Sequence, residues 1–398
     1  MKSSPSKLRV VMMDVWCFVP YYSRYLCEAL QRRGLDVQLA SVSYFQDPDY
    51  FKRYPLRRVP GLLDVAGGMR IRNEKLRRAI KFVEYCINLL ILYLKLLIRK
   101  PDIVHVQWVP LAAKLPLERW WLRMVRRRGV KLVYTVHNVT PHEDGERFVA
   151  HYKSLYQDMD ALIVHTGRAR ARLAEQFGID ERRIWTIPHG LLFHDLPRPA
   201  PAEARRDLQI AAEKVVVLWQ GVIAPYKGLD FLLQAWREVA KQCPQALLLI
   251  AGTGKRQFVS QLTATVRDLG LEQSVIMHCV YIPVEALPCI YEAADIVTYP
   301  YSEITMSGAL MTGIAFGKPI IATSLPAFAE VLGNNTNALL VNFGDVPGLT
   351  DALLKLVCDA GERKRMAAAV ARLQETYSWK NIAESTEACY ASVLSAMV

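Results

Sequence analysis

Residues 295–330 read DIVTYPYSEITMSGALMTGIAFGKPIIATSLPAFAE, a pattern of strand, loop, helix, strand and loop. Ile296 to Tyr299 is β-prone, and Pro300 ends the run. A loop leads to Ser307-Gly308, which opens an apolar segment, Ala309 to Phe316. Gly317 closes it, as glycine commonly closes a helix. Lys318-Pro319 then enters a second strand, Ile320 to Thr323. The Ser-Gly pair therefore falls at a helix N-terminus on the carboxyl side of a strand. Free N–H groups and the positive end of the helix dipole suit that place to a phosphate. Ser307 fits equally the plainer role of a helix cap.

The same alternation runs through the rest of the chain. Leu8–Met13, Val37–Ser41, Ile103–Gln107 and Lys131–Val136 read as strands, and Tyr25–Arg33 has helical spacing. In the second half Val215–Trp219, Ala246–Ile250, Val275–Val280 and Ala338–Val341 follow as strands. The ALLLI run at 246–250 is continuously apolar, as a parallel strand covered on both faces should be. Pro283–Ala294 is expected as a short helix, and Ala352–Leu373 as a single long one. Leu191 to Arg206 carries Pro197, Pro199 and Pro201 with no apolar period, which marks a stiff linker. A chain of 398 residues is long enough for two such α/β domains.

A net charge of +12 and a pI near 9.3 favour an anionic partner. No nucleic-acid module is present, and the cations lie beside apolar and aromatic stretches, so a membrane face is favoured. Residues 75–100, KLRRAIKFVEYCINLLILYLKLLIRK, form the strongest apolar run, but Glu84, Asn88 and Lys95 interrupt it. It does not span a bilayer. It is either a buried helix or an interfacial one with basic ends. Leu117 to Arg128 sets Trp120 and Trp121 among arginines, which suits a headgroup zone or a solvated helix with core-facing tryptophans. Eight cysteines with no CxxC pair read as free thiols of a reducing cytoplasm, with no metal site. The N-terminus has no signal-peptide pattern.

The stretch PYSEITMSGALMTGIAFGKPIIAT resembles the donor-binding segment of GT-B glycosyltransferases, in particular family four, which use nucleotide sugars. VVVLWQGVIAPYKG at 215–228, TVHN at 135–138 and IPHG at 187–190 resemble further signatures of that family. The resemblance implies two doubly wound Rossmann-like domains facing an interdomain cleft. Residues 1–195 would take the acceptor, residues 196–375 would bind the donor, and 376–398 would form a helix crossing back to the first domain. It implies hexosyl transfer from a UDP- or GDP-linked sugar to a hydroxyl, with retention and without a metal or other cofactor. A lipid-linked saccharide of polysaccharide assembly is the expected acceptor, with the protein cytoplasmic and peripheral on the inner face of the plasma membrane.

The resemblance also assigns residues. His137 and Glu303 would orient the sugar. Gly221, Lys227, Gly252, Ser307, Gly308 and Glu330 would surround the donor phosphates, with Lys227 offsetting the charge that grows on the leaving nucleotide. Tyr281 would meet the base, and Thr312 stands where the family carries a glutamate on the ribose. Val222 stands where it carries an arginine. The family's Gly-rich turn after the first strand is absent. Asp14, Trp16, Tyr21 and Tyr22 stand there, either as acceptor-site residues or as packing aromatics. His189 would line the cleft, and Pro141-His142-Glu143 follows TVHN in a polar loop. The lost glutamate and arginine leave two rival readings: a non-catalytic sugar-nucleotide-binding partner, or an epimerase of the same fold.

Overall fold

The computed structural model describes residues 7–65, 74–111, 115–139 and 148–395. Pro141-His142-Glu143 lies outside the described residues. The chain divides into two compact units, Met1–Gly190 with Trp379–Val398, and Leu191–Ser378. The first crossing thus falls at Gly190 and not after 195, because Leu191, Leu192, Phe193 and Leu196 are buried within the second unit.

The first unit is built on a six-stranded parallel sheet. Its strands are β1 (Arg9–Met13), β2 (Asp36–Ala40), β3 (Ile103–Val106), β4 (Lys131–Thr135), β5 (Ala161–Val164) and β6 (Ile184–Thr186), in the order β2-β1-β3-β4-β5-β6. β3 and β5 are buried along their whole length, and β4 is buried in all but its first residue, Lys131, so these segments are largely apolar on both faces. The helix Pro20–Arg32 begins at a proline, whose fixed φ and missing N–H suit a first turn. It starts five residues before the sequence pattern suggested. Asp14 supplies the turn that a Gly-rich loop makes elsewhere: its carboxylate accepts from Phe18 N at 2.8 Å and Val19 N at 3.0 Å. The final helix, Trp379–Ser395, belongs to this unit.

The second unit repeats the plan with β7 (Val215–Gln220), β8 (Ala246–Ala251), β9 (Val275–His278), β10 (Ile296–Tyr299), β11 (Ile320–Thr323) and β12 (Ala338–Val341), ordered β12-β11-β10-β7-β8-β9. The two six-stranded sheets bear out the α/β, doubly wound reading. Two element expectations change. The linker contains a helix, Pro201–Asp207, held by Arg205 to Asp295 Oδ2 at 2.6 Å. The long helix is two, Val346–Cys358 and Ala360–Thr376, because Asp359 leaves helical geometry and caps Glu362 N at 2.9 Å. Cys243 and Cys358, distant in sequence, meet with sulfurs 2.9 Å apart.

The tryptophan pair of the helix Leu117–Arg127 divides. Trp121 is buried and donates from Nε1 to Leu89 O at 2.8 Å, while Trp120 is 59% exposed. Arg119 and Arg123 of that helix pair with Asp158, and Arg126 with Asp160. Most of its charge is therefore answered within the unit.

Candidate functional site

In each sheet the chain turns outward from the middle, and open α/β sheets bind ligands beyond the carboxyl ends of strands at such a switch point. In the second unit the switch lies between β7 and β10. The loops leaving these strands touch backbone to backbone. Ser302 N donates to Tyr226 O at 2.9 Å, and a Cβ on Gly228 would stand 1.7 Å from Pro300 O. Gly228 adopts φ +68°, so glycine is required there twice, by space and by conformation. Gly221 and Gly252 cross in the same way after β7 and β8: a Cβ on Gly252 would stand 1.8 Å from Gly221 O.

Lys227 precedes Gly228 in the short turn Pro225–Lys227 and is 8% exposed. Its Nζ lies 3.8 Å from the centre of the Tyr301 ring and 5.1 Å from that of Tyr226. No carboxylate pairs with it among the described residues. Burial holds its pKa down to about 8. The ring face eases the ammonium's burial, but the charge remains unneutralised. From the second loop, Ser307 caps the helix Gly308–Ala315, its Oγ accepting from Leu310 N at 3.2 Å. Gly308 follows at the first helical position. Lys227 and this helix start are thus set by two loops that are stitched together.

The other expected donor residues fall as follows. Glu303 is exposed in the β10 loop, and Glu330 is exposed just after the short helix Pro326–Ala329. Tyr281 is partly exposed beyond β9. Thr312 is buried, and its hydroxyl donates to Gly308 O at 2.9 Å within its own helix. It presents no free polar group in place of the family's glutamate. Val222 is 58% exposed and apolar where the family has arginine.

In the first unit the structure brings His137, Tyr22 and His189 together. Tyr22 is the hub: its ring centre lies 4.7 Å from that of His137, 5.0 Å from His189, 5.4 Å from His165 and 5.2 Å from Trp379. Trp16 and Tyr21 lie elsewhere. Trp16 stacks on Tyr85 at 5.3 Å beside a pocket that Lys81 and Asp64 also line. Tyr21 packs edge-on against Tyr44 and Tyr50.

A hydrogen-bonded file crosses the strand ends. It runs from Tyr390 Oη to His105 Nδ1 (2.6 Å), His105 Nε2 to Thr135 Oγ1 (2.7 Å), and Thr135 to Gln107 (3.5 Å). It continues from Gln107 to His137 Nε2 (3.0 Å), His137 Nδ1 to His165 Nε2 (3.2 Å), and His165 Nδ1 to Ile187 O (3.0 Å). The acceptor at Ile187 requires a proton on His165 Nδ1. Burial lowers the pKa of His165 to about 4 and that of His105 to about 3, and pushes His137 well down, so the rings are neutral. His165 Nε2 must then accept from His137 Nδ1–H, which leaves His137 Nε2 an acceptor facing Gln107 Oε1. Turning the Gln107 amide would set its N–H against His137 Nε2 and its oxygen against Thr135 Oγ1 and Met12 Sδ, which its Nε2 now meets.

Both ring nitrogens of His137 therefore face neighbours in the file. His189 differs: its Nδ1 donates to Gly190 O at 2.7 Å, and burial lowers its pKa to about 3, which leaves Nε2 an unprotonated acceptor. Sequence reasoning passed over His165 and Gln107. His165 was findable, since IVHT after β5 mirrors TVHN after the neighbouring β4. Trp379 and Tyr390 arrive from the last helix, which no local pattern connects to the cluster. Among the described residues, no group of three or more His, Cys, Asp or Glu could hold a metal ion.

Comparison with known proteins agrees with this architecture. The family model described as Glycosyltransferase Family 4 matches residues 19–191, and that described as Glycosyl transferases group 1 matches residues 214–359. The D-inositol 3-phosphate glycosyltransferase of Xylanimonas cellulosilytica is 26% identical over 312 residues, 73% of this chain and 72% of that protein. The 2-deoxystreptamine N-acetyl-D-glucosaminyltransferase of Streptomyces fradiae is 25% identical over 307 residues, 72% of this chain and 70% of that one. Among solved structures, a sucrose-phosphate synthase from Thermosynechococcus elongatus matches with a TM-score of 0.75 at 20% identity, over 98% of this chain and 100% of that one. Anabaena HepE in complex with UDP matches with a TM-score of 0.75 at 15% identity, over 97% and 100%. The two family matches take up one unit each, and the chain belongs to the family-four, group 1 glycosyltransferases of GT-B fold.

Proposed function

We propose that the protein transfers a hexosyl group from a nucleoside-diphosphate sugar to a hydroxyl of a saccharide acceptor carried on a lipid, with retention at the anomeric carbon. One observation carries the reading: the Lys227 ammonium is buried on Tyr301 with no carboxylate partner among the described residues, on a loop bonded to the one that starts the helix at Ser307. An uncompensated buried cation is costly, and a diphosphate removes that cost. HepE was solved with UDP, and this favours a uridine donor here. Lys227 and the N–H groups beyond Ser307 would hold the diphosphate as charge builds on the leaving group, with no metal invoked. Exposed Glu303 is free to meet the sugar. His137 can do so only if Gln107 moves away from Nε2.

Titration of the protein with UDP, GDP and ADP tests this. We expect one of them to bind, and Lys227→Ala to weaken it about tenfold or more, the effect of losing a charged hydrogen bond. Unchanged affinity in the variant removes Lys227 from the site.

A second reading is a non-catalytic sugar-nucleotide-binding partner of another transferase. The apolar, exposed Val222 and the internally bonded Thr312 favour it, because each stands where the family carries a charged ligand to the donor. Donor turnover by the purified protein alone rejects it.

A further inference from the structure

We infer that one face of the helix Glu74–Ile98 is a docking surface for an anionic lipid bilayer, on which the helix lies in the plane of the interface. The helix has two apolar faces. Tyr85, Leu89, Leu92 and Leu96, spaced four, three and four residues apart, are buried in the core of the first unit. Val83, Ile87, Leu90, Leu94 and Leu97 repeat with the same spacing on the opposite side and are all exposed, Leu90 by 59%. Leu76, one turn pair before Val83, and Ile98 at the end extend the same stripe. A soluble helix is normally polar on the face its core does not cover. Here an uncharged stripe of more than five turns is left uncovered among the described residues.

Charge decides what covers it. Lys75, Arg77, Arg78 and Lys81 lie in the first turns, Lys95 lies in the last, and Arg99, paired with Asp36 at 2.7 Å, and Lys100 follow it. After its first residue the helix has one acid, Glu84, which is buried and accepts from Val65 N at 3.0 Å. An apolar stripe ended by cations is complementary to acyl chains beneath anionic headgroups. A second copy of the chain fits less well, since pairing two stripes sets basic ends against basic ends in chains of net charge +12. No helix of the described residues is long and apolar enough to cross a membrane, and the buried face anchors this one to its sheet. The bilayer would therefore be met along the side of the helix. The exposed Trp120 stands on the neighbouring helix, whose Trp121 bonds to Leu89 O.

This goes beyond the proposed lipid-carried acceptor by naming the lipid surface and the residues that meet it. Its test needs no donor or turnover, so failure here leaves the Lys227 site standing. Flotation with vesicles of phosphatidylcholine, with and without phosphatidylglycerol, would be compared for the wild type and the double variant Leu90→Glu, Leu94→Glu. Both positions are exposed, and an unchanged melting temperature would show that the variant folds. The expected result is binding to the anionic vesicles, weakened by salt, and a loss of about tenfold or more in the variant, given what burial of each leucine contributes. Absence of binding to anionic vesicles overturns the inference, as does equal partition of variant and wild type. A dimer of the wild type that the variant dissolves overturns it in favour of a second copy.

Discussion

Lys227 is where stability and function pull against each other. Burial alone brings its pKa from the model-peptide range down to about 8, so near neutral pH the folded protein carries a charge that its surroundings disfavour. Replacing Lys227 with Met, of similar length and no charge, should raise the melting temperature of the ligand-free protein. A gain of about 1–3 kcal/mol is expected from the cost of burying an unpaired charge. The same variant should lose its stabilisation by the nucleoside diphosphate. Thermal melts of both proteins, with and without nucleotide, check the pair of outcomes; a variant less stable than the wild type without ligand would show that the ammonium has a partner.

The buried histidines make stability depend on pH. His105, His165 and His189 have folded pKa values lowered by burial to about 3, 4 and 3. In the unfolded chain they protonate near 6.5. The unfolded state therefore binds more protons as pH falls below about 6.5, and stability drops through the window down to about 3–4, where the folded rings protonate in turn. Above about 6.5 these residues contribute no pH dependence. Melting temperature measured against pH should show this acid-side fall, and His105→Asn together with His165→Asn should flatten it. An unflattened profile would place the titrating groups elsewhere.

Elements set these residues, and the crossing of the β7 and β10 loops is the tightest constraint. Gly228→Ala would drive a methyl into Pro300 O and strain a left-handed residue. It should destabilise the second unit by more than about 2 kcal/mol and weaken nucleotide binding by displacing Lys227. Urea unfolding followed with nucleotide titration would separate the two effects. Much at this level was legible in sequence. The strands β10 and β11 fall at Ile296–Tyr299 and Ile320–Thr323 as their β-branched runs and flanking prolines indicate. The Ser307 cap was legible too, because capping is local chemistry. The break at Asp359 was missed although Asp359 and Glu362 stand at cap spacing, since the apolar period runs on through it. The split of Trp120 and Trp121 was not legible, because adjacent helical residues point to different sides and only the sheet behind them decides which is inside.

For the molecule as a whole, the chain order is not the unit order. Trp379–Ser395 completes the first unit, with Trp379 against Tyr22 and Tyr25 and Tyr390 bonded to His105. No sequence period carries that information, since the contacts span most of the chain's length. Truncation after Ser378 should therefore damage the remote N-terminal half: it uncovers the Tyr22 cluster and leaves His105 Nδ1 without its donor. Limited proteolysis of the truncated protein should cut first within residues 7–190. Protection of that half equal to the wild type's would contradict the assignment. In the proposed complex a nucleoside diphosphate sits where Lys227, Tyr301 and the helix start at Ser307 converge. Calorimetric titration of UDP into the wild type and Lys227→Met checks this placement. Binding to the wild type and a loss of about tenfold or more in the variant is the predicted result; a nucleotide that binds both equally would contradict it.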